Sequence, residues 1–495
     1  MKRRDFCTSA LAAASSALLA SPLRAASLPD IPAVSPTGAQ RVLRGQDVLD
    51  LRGALRGSLL VPSDSGYDQA RRIWNAVYDR RPALIARCTG AADVVQAINF
   101  ARANDLLVAV RGGGHSFSGQ SVCDGGLMID LSPMRSVRVD PVARTARVDG
   151  GALLGDLDRE SQAFGLATPA GRISHTGAAG LTLGGGFGRL TRRFGLACDN
   201  LIAADVITAD GRFVRTSAQE NPELLWGLKG GGGNFGVVTS FEYRLHQVGP
   251  MMYGGAIAWP MSEAKRVLRF YAGFLESMPD ELFVDAVLTP VPQLGQVVLF
   301  SVCYSGPPER AEEAVRPLRQ QGKPLLDMLQ PAPYVTLQSA NDKESAAGRG
   351  NYERSGFLTS VSPALIDIAI GRMEAPHPPG NRIILSGECG GAFGRVARDA
   401  TAFWNRDARS TVIVQGQWND PRDQSAADAH MGWARETFSL LLPHTKGFYV
   451  NTVAADDTEQ RIRATYGDNY ARLVALKRRY DPANLFRRNA NISPG

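Results

Sequence analysis

The chain has 495 residues, which is too long for a single core of ordinary size, so we expect two domains. With 44% hydrophobic and 21% charged residues, the composition is that of a soluble globular protein and excludes a disordered or fibrous one. The net charge of +7 gives no sign of a nucleic-acid partner. Much of it lies in the first 26 residues, and no Lys/Arg stripe with interleaved aromatic residues follows.

The first 26 residues predict a cleaved export signal. Arg3 and Arg4 precede Phe6, and a weakly apolar run covers residues 10–20, too short to span a bilayer. Paired arginines favour the twin-arginine route, which carries proteins that are already folded; a Sec signal with an incidental arginine pair is the alternative. We therefore expect a periplasmic or secreted protein, and no other segment reaches transmembrane length.

Residues 27–79 are rich in Pro, Ser and Arg and predict an irregular lead-in segment. From residue 80 to residue 250 the pattern predicts small helices mixed with short strands, an α+β domain. A helix is expected over 92–105, where apolar residues recur at helical spacing and Asp93 stands among the first residues. Strands are expected within LLVAV, GLMIDLSPM, VRVDPVARTARVDGG and ADVITADGRFVRT.

Residues 251–445 predict a second domain with a different secondary-structure pattern. A large antiparallel sheet is expected from GGAIAWP, ELFVDAVLTP and GQVVLFSVCYSG, covered by helices within SEAKRVLRFYAGFLES and AADAHMGWARETFSLLLP. Residues 446–495 return to small motifs and contain a helix that should stop at Asp481-Pro482.

Cysteine usage gives no metal site. Five cysteines lie beyond the predicted signal, without CxxC or other metal spacing: Cys88, Cys123, Cys198, Cys303 and Cys389. An odd number of cysteines in an exported protein allows up to two disulfides and leaves at least one thiol, and the spacing does not give the pairing.

Three glycine clusters interrupt the first domain: RGGGHSFSG at 111–119, TGAAGLTLGGGFGRL at 176–190 and GGGGNFGVV at 230–238. Peptide N–H groups without neighbouring side chains can converge on phosphate oxygens. Each cluster alone is also compatible with a structural turn. Together they favour a ligand with an extended anionic spine and two flat ends, that is, a dinucleotide.

The third cluster does not form a nicotinamide Rossmann site. Gly231, Gly233 and Gly236 satisfy G-x-G-x-x-G, a fingerprint that must follow a strand and open a helix. Here a segment with helical character precedes the glycines and a segment with strand character follows them. The order is reversed, so we exclude that site.

His115 stands directly after three glycines, where a strand ends. The other five histidines form no close pair in the sequence, and no His-Glu motif accompanies them, so no metal site is indicated. Two interpretations remain. The imidazole bonds a phosphate or a neighbouring carbonyl, or it is a nucleophile that bonds covalently to a flavin ring.

The glycine clusters, GLMIDLSPM and ELLWGLKGGGGNFGVVTSFEYRL resemble the FAD-linked oxidases of the vanillyl-alcohol-oxidase / p-cresol methylhydroxylase superfamily. The tail YGDNYARLVALKRRYDPANLFRRNANISP resembles the end of its berberine-bridge-enzyme-like branch. The resemblance covers residues of about 80 to 250 and 449 to 494. It implies a two-part FAD-binding domain of the p-cresol-methylhydroxylase type, with the substrate domain inserted between its parts.

The resemblance also implies FAD joined covalently to His115 through the 8α-methyl group of the ring. Many members add a second link from a cysteine, but Ile173 occupies that position and Cys198 lies too far along, so we predict one covalent bond. Thr176 stands where members carry a residue thought to gate oxygen access. Its small size favours an oxidase; a dehydrogenase with another acceptor is the alternative.

Further cofactor contacts are predicted in the glycine clusters and near the C-terminus. They are Arg111, Gly112, Gly113, Gly114, Ser116, Gly119, Thr176, Gly177, Gly180, Gly184, Gly185, Gly186, Gly188, Gly236, Val237, Val238 and Asn451.

Tyr449 is the predicted catalytic base. In related enzymes a tyrosine of a Y-x-N stretch faces the flavin, and Tyr449 with Asn451 matches it. On a strand the two side chains would point the same way. A free tyrosine has a pKa near 10, so its surroundings must lower that pKa. A core tyrosine followed by a turn asparagine is the alternative.

Some side chains of the second domain are candidates for the pocket or for ordinary sheet positions: Glu388, Gln415, Gln417 and Trp418. Other branch members use a glutamate from this domain, but the surroundings of Glu388 do not match that motif clearly. Asn405-Arg406 stands where family members often carry a histidine-arginine pair, which leaves recognition at that position open.

The sequence therefore predicts an exported FAD-dependent oxidoreductase. It is expected to oxidise an alcohol or amine carbon of a carbohydrate or secondary-metabolite substrate, with O2 as acceptor. A sugar-lactone or hydroxy-acid dehydrogenase is one alternative, and a binding protein with an inert or absent flavin is another.

Overall fold

The computed structural model describes residues 28–495, so the predicted export signal lies outside the described residues. The predicted α+β architecture is confirmed. Short sheets with small helices carry the glycine clusters, a large antiparallel sheet with covering helices follows, and the chain then returns to the first part. Where one domain ends and the next begins stays a prediction.

A four-stranded sheet positions the first glycine cluster. In spatial order its strands are Ser58–Leu60, Leu84–Arg87, Leu127–Asp130 and Val108–Arg111. The last three run parallel, and Ser58–Leu60 is antiparallel to its neighbour. The glycine turn leaves the carboxyl end of the edge strand Val108–Arg111, which is buried at its start and opens towards solvent at its end.

The predicted helix is present as Ala91–Ala103 and packs on this sheet. Val94, Ala97, Ile98 and Ala101 form its buried face, since residues three and four apart share one side of a helix. The carboxylate of Asp93 in its first turn accepts hydrogen bonds from the backbone N–H groups of Thr89 and Arg56, which lie outside the helix, each at 2.8 Å. These bonds join the start of the helix to the loop before it and to the segment that carries Arg56.

A five-stranded antiparallel sheet carries the rest of the first part. Its strands, in spatial order, are Phe213–Ser217, Leu201–Ile207, Val237–Arg244, Thr145–Asp149 and Val137–Asp140. Leu166–Ala167 pairs with His246–Gln247 beside it. The helices of this part are Gly45–Ala54, Tyr67–Ala70, Ala91–Ala103, Leu154–Gln162, Ala178–Leu183, Thr191–Phe194 and Pro222–Leu228.

The large antiparallel sheet predicted for residues 251–445 is also confirmed. Its strands, in spatial order, are Leu326–Asp327, Met251–Pro260, Gly295–Tyr304, Leu282–Val291, Arg382–Ser386, Ser410–Trp418 and Gly350–Leu358, with Gln330–Pro333 also on Met251–Pro260. The helices of this part are Ala264–Ser277, Ala311–Arg319, Tyr334–Gln338, Pro363–Glu374, Gly391–Arg395 and Gln424–Leu441. Apolar residues of the three longest helices and of the sheet share one core, so this layer buries one sheet face and leaves the other available.

The C-terminal part returns to the first core, as the resemblance implies. Its helices are Glu459–Tyr466 and Tyr470–Tyr480, and their apolar residues pack with those of the five-stranded sheet. The buried Lys477 ammonium donates to the carbonyls of Asn234 (2.9 Å) and Phe486 (3.0 Å) and to the carboxylate of Asp481 (2.6 Å). The hydrogen bond to Asn234 joins the tail to the third glycine cluster.

The lead-in segment is not irregular. It contains strands Ile31–Val34, Gln40–Leu43 and Ser58–Leu60 and helix Gly45–Ala54. Strand Ser58–Leu60 completes the four-stranded sheet, and the helix buries Val48 and Leu51 in the same core. These elements are short and polar on one side, and tertiary pairing rather than their own periodicity specifies them.

All five cysteines of the described range are buried and free, so no disulfide forms among residues 28–495. Within that range no helix is both long and apolar enough to cross a membrane.

Candidate active site

A cavity of about 1070 Å³ lies between the glycine clusters and the large sheet. This is at the upper end of the range for small-molecule sites, so it has room for an extended ligand and a second small molecule. The predicted site residues that line it are Gly112, Gly113, Gly114, His115, Ser116, Thr176, Gly177, Gly180, Gly236, Val237, Val238, Tyr449 and Asn451. Side chains from the large sheet form the opposite wall, among them Asp285, Glu353, Glu388 and Gln415.

Two glycine turns meet at the cavity wall. A Cβ added to Gly113 would overlap the Gly177 backbone, and a Cβ added to Gly177 would overlap the Gly113 nitrogen. Only residues without side chains permit this approach. Segments that are more than sixty residues apart in the sequence are thereby brought into direct contact.

This contact places two imidazoles side by side. The rings of His115 and His175 have centroids 5.2 Å apart with an interplanar angle of 28°. On its other side, His115 stacks on the indole of Trp74 at 4.0 Å and 14°. The Trp74 Nε1–H donates to the Ser345 carbonyl at 2.6 Å, which fixes the indole from the sheet side. The sequence did not indicate Trp74, and it gave no close partner for His175.

His115 is held neutral. Burial, and secondarily the neighbouring imidazole of His175, lower the pKa of His115 to about 3. Its Nε2 atom is shielded from solvent and has no hydrogen-bond partner among residues 28–495. Buried polar atoms are almost always paired in native structures, so this nitrogen calls for a ligand atom.

Tyr449 lies against the glycine cluster at 184–188. Its Oη accepts hydrogen bonds from the Gly186 backbone N–H (3.0 Å) and from the Asn451 amide (2.7 Å). The segment Val450–Thr452 is a 3-10 turn, so the expected strand is wrong: the turn brings the amide onto the phenol rather than setting both side chains in parallel. Burial raises the pKa of Tyr449 well above its usual value, and the two donors offset this only in part.

Two buried carboxyl groups lie across the cavity. Burial raises the pKa of Glu388 to about 7 and that of Glu353 to about 7, although the charge of Arg172 opposes both shifts. Glu388 is 2% exposed, and its Oε2 lies 3.8 Å from Arg172 Nη2 without a hydrogen-bond partner among the described residues. These groups change charge close to neutral pH. Glu353 was missed in the sequence because its strand pattern is that of any sheet.

Comparisons with known proteins show which family has this sequence. Residues 82–217 match a family model described as "FAD binding domain", and residues 448–493 match "Berberine and berberine like". An FAD-linked oxidoreductase of Dictyostelium discoideum is 34% identical over 85% of this chain and 91% of its own. The (R)-6-hydroxynicotine oxidase of Paenarthrobacter nicotinovorans is 32% identical over 89% of this chain and 97% of its own.

The chain belongs to the berberine-bridge-enzyme-like family of FAD-linked oxidoreductases. A solved structure of 6-hydroxy-D-nicotine oxidase from Arthrobacter nicotinovorans superposes with a TM-score of 0.81 at 32% identity, covering 89% of this chain and 98% of that one. The glucooligosaccharide oxidase of Acremonium strictum shares the fold at 23% identity and a TM-score of 0.81, covering 91% of this chain and 99% of that one.

The residues present fit the FAD of this oxidoreductase family. The cavity is long and is walled by backbone at the first and second glycine clusters, where flat or anionic groups can approach peptide N–H groups closely. His115, whose Nε2 has no hydrogen-bond partner among the described residues, forms part of that wall. Members of the third cluster, with Val237 and Val238, extend the same wall.

Arg111 was predicted to contact the cofactor, but the structure gives it another role in this oxidoreductase. Its Nε and Nη2 donate to the Asp130 carboxylate at 2.9 and 2.8 Å, and its Nη1 donates to the Ala70 carbonyl at 2.6 Å. It is not among the described residues that line the cavity. Arg111 instead ties the edge strand to its neighbour just before the glycine turn.

Several predicted glycines also lie outside the cavity lining, within the described chain: Gly119, Gly184, Gly185, Gly186 and Gly188. A side chain on Gly119 would overlap the Tyr78 ring, and one on Gly188 would overlap the Ala170 carbonyl. Close packing of protein against protein explains these glycines, so a glycine cluster in the sequence marks close approach without identifying the partner.

The remaining candidate residues also divide into those that line the cavity and those that pack or bond within the protein. Gln415 and Gln417 line the cavity, whereas Trp418 stacks on His430 at 5.5 Å on the covered side of the sheet. Arg406 donates to both Asp199 oxygens, at 2.8 and 2.6 Å, and so serves the scaffold of this family member rather than recognition.

Proposed function

We propose that this FAD-linked oxidoreductase oxidises an alcohol or amine carbon of a small organic substrate, with O2 as the final acceptor. When bound, FAD supplies the hydride acceptor. The observation that carries the proposal is the cavity itself, in which a backbone cradle and His115 face buried carboxyl groups that titrate near neutral pH. The small side chain of Thr176 in the lining supports access of O2.

The test is an anaerobic screen of the purified protein against sugars, secondary alcohols and amines, followed by admission of air. We expect one class to bleach the absorbance near 450 nm, and air to restore it with one equivalent of hydrogen peroxide. Bleaching with slow recovery in air would identify a dehydrogenase instead. A colourless protein, or a flavin that none of the compounds reduces, would contradict the proposal.

The FAD is proposed to be held by one covalent bond, from His115. A nucleophile needs an unshared electron pair, and the low pKa of His115 keeps its imidazole neutral at physiological pH. The stacked Trp74 restricts the orientation of the ring. Ile173, which also lines the cavity, has no thiol to form a second bond. A tether of this kind would prevent loss of the cofactor after export.

Substitution His115→Ala should abolish covalent attachment, because the described residues that line the cavity include no other histidine and no cysteine. After acid precipitation, we expect the wild-type pellet to stay yellow and its His115 peptide to carry the added mass of FAD. The H115A pellet should be colourless. His444→Ala, on the surface of the large-sheet part, is the matched control and should behave as wild type. Unmodified His115 in the wild-type protein would contradict the tether.

The proton released in the oxidation is proposed to pass to Glu388, while Tyr449 contacts the substrate and orients it. Burial keeps Tyr449 protonated at neutral pH, which makes it a poor base. The Glu388 carboxyl has a pKa of about 7, close to the value at which a general base works best at physiological pH. The charge of Glu388 also raises the pKa of Tyr449, so the two groups act within one site.

Because a base acts in its ionised form, kcat/KM should rise as the pH increases through about 7 and level off above it. Glu388→Gln should remove this rising limb and lower kcat/KM by roughly 10²- to 10⁴-fold. Tyr449→Phe should lower the rate but keep the limb. Glu353→Gln is the matched control, a buried carboxyl of the same wall and similar pKa. A limb that survives in E388Q and disappears in E353Q would reassign the proton acceptor.

Export through the twin-arginine route is proposed from the sequence of the first 26 residues. Replacing Arg3 and Arg4 with lysine should retain the protein in the cytoplasm of a host that has this route. A Sec signal, in contrast, tolerates that exchange, so unchanged periplasmic recovery of the double variant would contradict the proposal.

A further inference from the structure

Arg189 is a buried cation with almost no partners. Its side chain lines the cavity although the residue is only 5% exposed. A guanidinium carries five N–H donors. Here Nη1 makes one long hydrogen bond to Ser301 Oγ at 3.4 Å, and Nε has no partner among residues 28–495. Most of its hydrogen-bonding capacity is therefore unused.

The charge of Arg189 is also unpaired within the described residues. The nearby carboxylate of Asp285 is occupied, since one oxygen pairs with Arg172 and the other accepts from Ser386 Oγ at 2.5 Å. Arg172 adds a second positive charge to this corner, and burial lowers the pKa of Arg189. Arginine nonetheless stays charged in proteins, so the site holds a cation without a salt bridge among the described residues, with its guanidinium 5.7 Å from the centre of the Phe283 ring.

Two other buried arginines of the described range use both terminal nitrogens, although their Nε atoms also lack a partner there. Arg406 pairs with both oxygens of Asp199, and Arg192, only three residues after Arg189, donates to the carbonyls of Cys389 and Met278 at 2.5 and 2.6 Å. Burying a charge without partners is strongly unfavourable. At those two sites protein groups accept from both terminal nitrogens, whereas Arg189 makes one long hydrogen bond at the cavity wall, which points to a partner that enters from outside.

We propose that Arg189 binds a carboxylate of the substrate. The planar guanidinium matches a carboxylate through two parallel hydrogen bonds. A dianionic phosphate would need a second free cation, and Arg172 is already paired with Asp285. The inference rests on the proposed function and narrows it: the oxidised alcohol or amine carbon belongs to a molecule that also bears a carboxylate, such as a hydroxy acid or an amino acid.

The test uses the holoenzyme and acid–amide pairs that differ only in charge: lactate with lactamide, mandelate with mandelamide, and gluconate with gluconamide. Binding is followed by perturbation of the flavin absorbance under anaerobic conditions. For at least one pair we expect the acid to bind about 10- to 100-fold more tightly than the amide, the range for a charge-assisted hydrogen-bonded pair. Arg189→Gln should abolish this preference, and Arg189→Lys should restore part of it.

Arg193→Gln is the matched control. This arginine lies on the same segment but donates to the Ser305 carbonyl and does not line the cavity within the described residues, so its variant should keep the preference for the acid. Equal binding of acid and amide in every pair, or an acid preference that persists in R189Q, would overturn the proposal. The proposal would also be overturned if the R189Q substitution altered the flavin spectrum in the absence of any acid and left the acid preference intact. The guanidinium would then contact the cofactor and not the substrate. Failure of the proposed function shows separately, as a flavin that no compound reduces.

Discussion

The site depends on one backbone contact, the approach of the Gly113 turn to the Gly177 turn. The first turn leaves an edge strand of the four-stranded sheet, and the second leads into helix Ala178–Leu183. No side chain fits between the two turns, so their backbones lie in direct contact. That contact sets His115 beside His175, and the stacked indole of Trp74 completes the enclosure that keeps the imidazole neutral.

Polar groups of the scaffold and of the cavity differ in how they are satisfied. Lys477, Arg111 and Arg406 are buried or largely buried and have carboxylate partners at hydrogen-bond distance. At the cavity, in contrast, Arg189 has no carboxylate partner and His115 Nε2 has no hydrogen-bond partner among residues 28–495. Since native interiors leave few polar atoms unpaired, we infer that a ligand in the cavity is the partner of these two side chains.

The sequence predicted what periodicity and turn chemistry control. Helix Ala91–Ala103 and the strands of the large sheet follow from the spacing of apolar residues. Residues 112–116 of the first glycine cluster, predicted as cofactor contacts, line the cavity. The sequence did not predict the features that depend on tertiary contacts. Arg111 binds Asp130, which follows it by nineteen residues, and the lead-in strand Ser58–Leu60 exists because the sheet accepts it. The proximity of His175 to His115 also follows from the fold, so no local pattern could reveal it.

The low polarity of the cavity acts on its acids and bases in opposite senses. Burial lowers the pKa of the imidazole of His115 and raises the pKa values of the carboxyl groups of Glu353 and Glu388, because in each case it disfavours the charged form. Near neutral pH these groups are therefore neutral or only partly ionised. The arginines cannot respond in this way, since a guanidinium does not lose its proton.

The cavity consequently carries net positive charge whenever its carboxyl groups are protonated. A negatively charged ligand would therefore be attracted most strongly on the acid side of pH 7, where the proposed base is least active. Binding and proton removal then favour opposite ends of the pH scale, and the enzyme would work best where the two demands overlap.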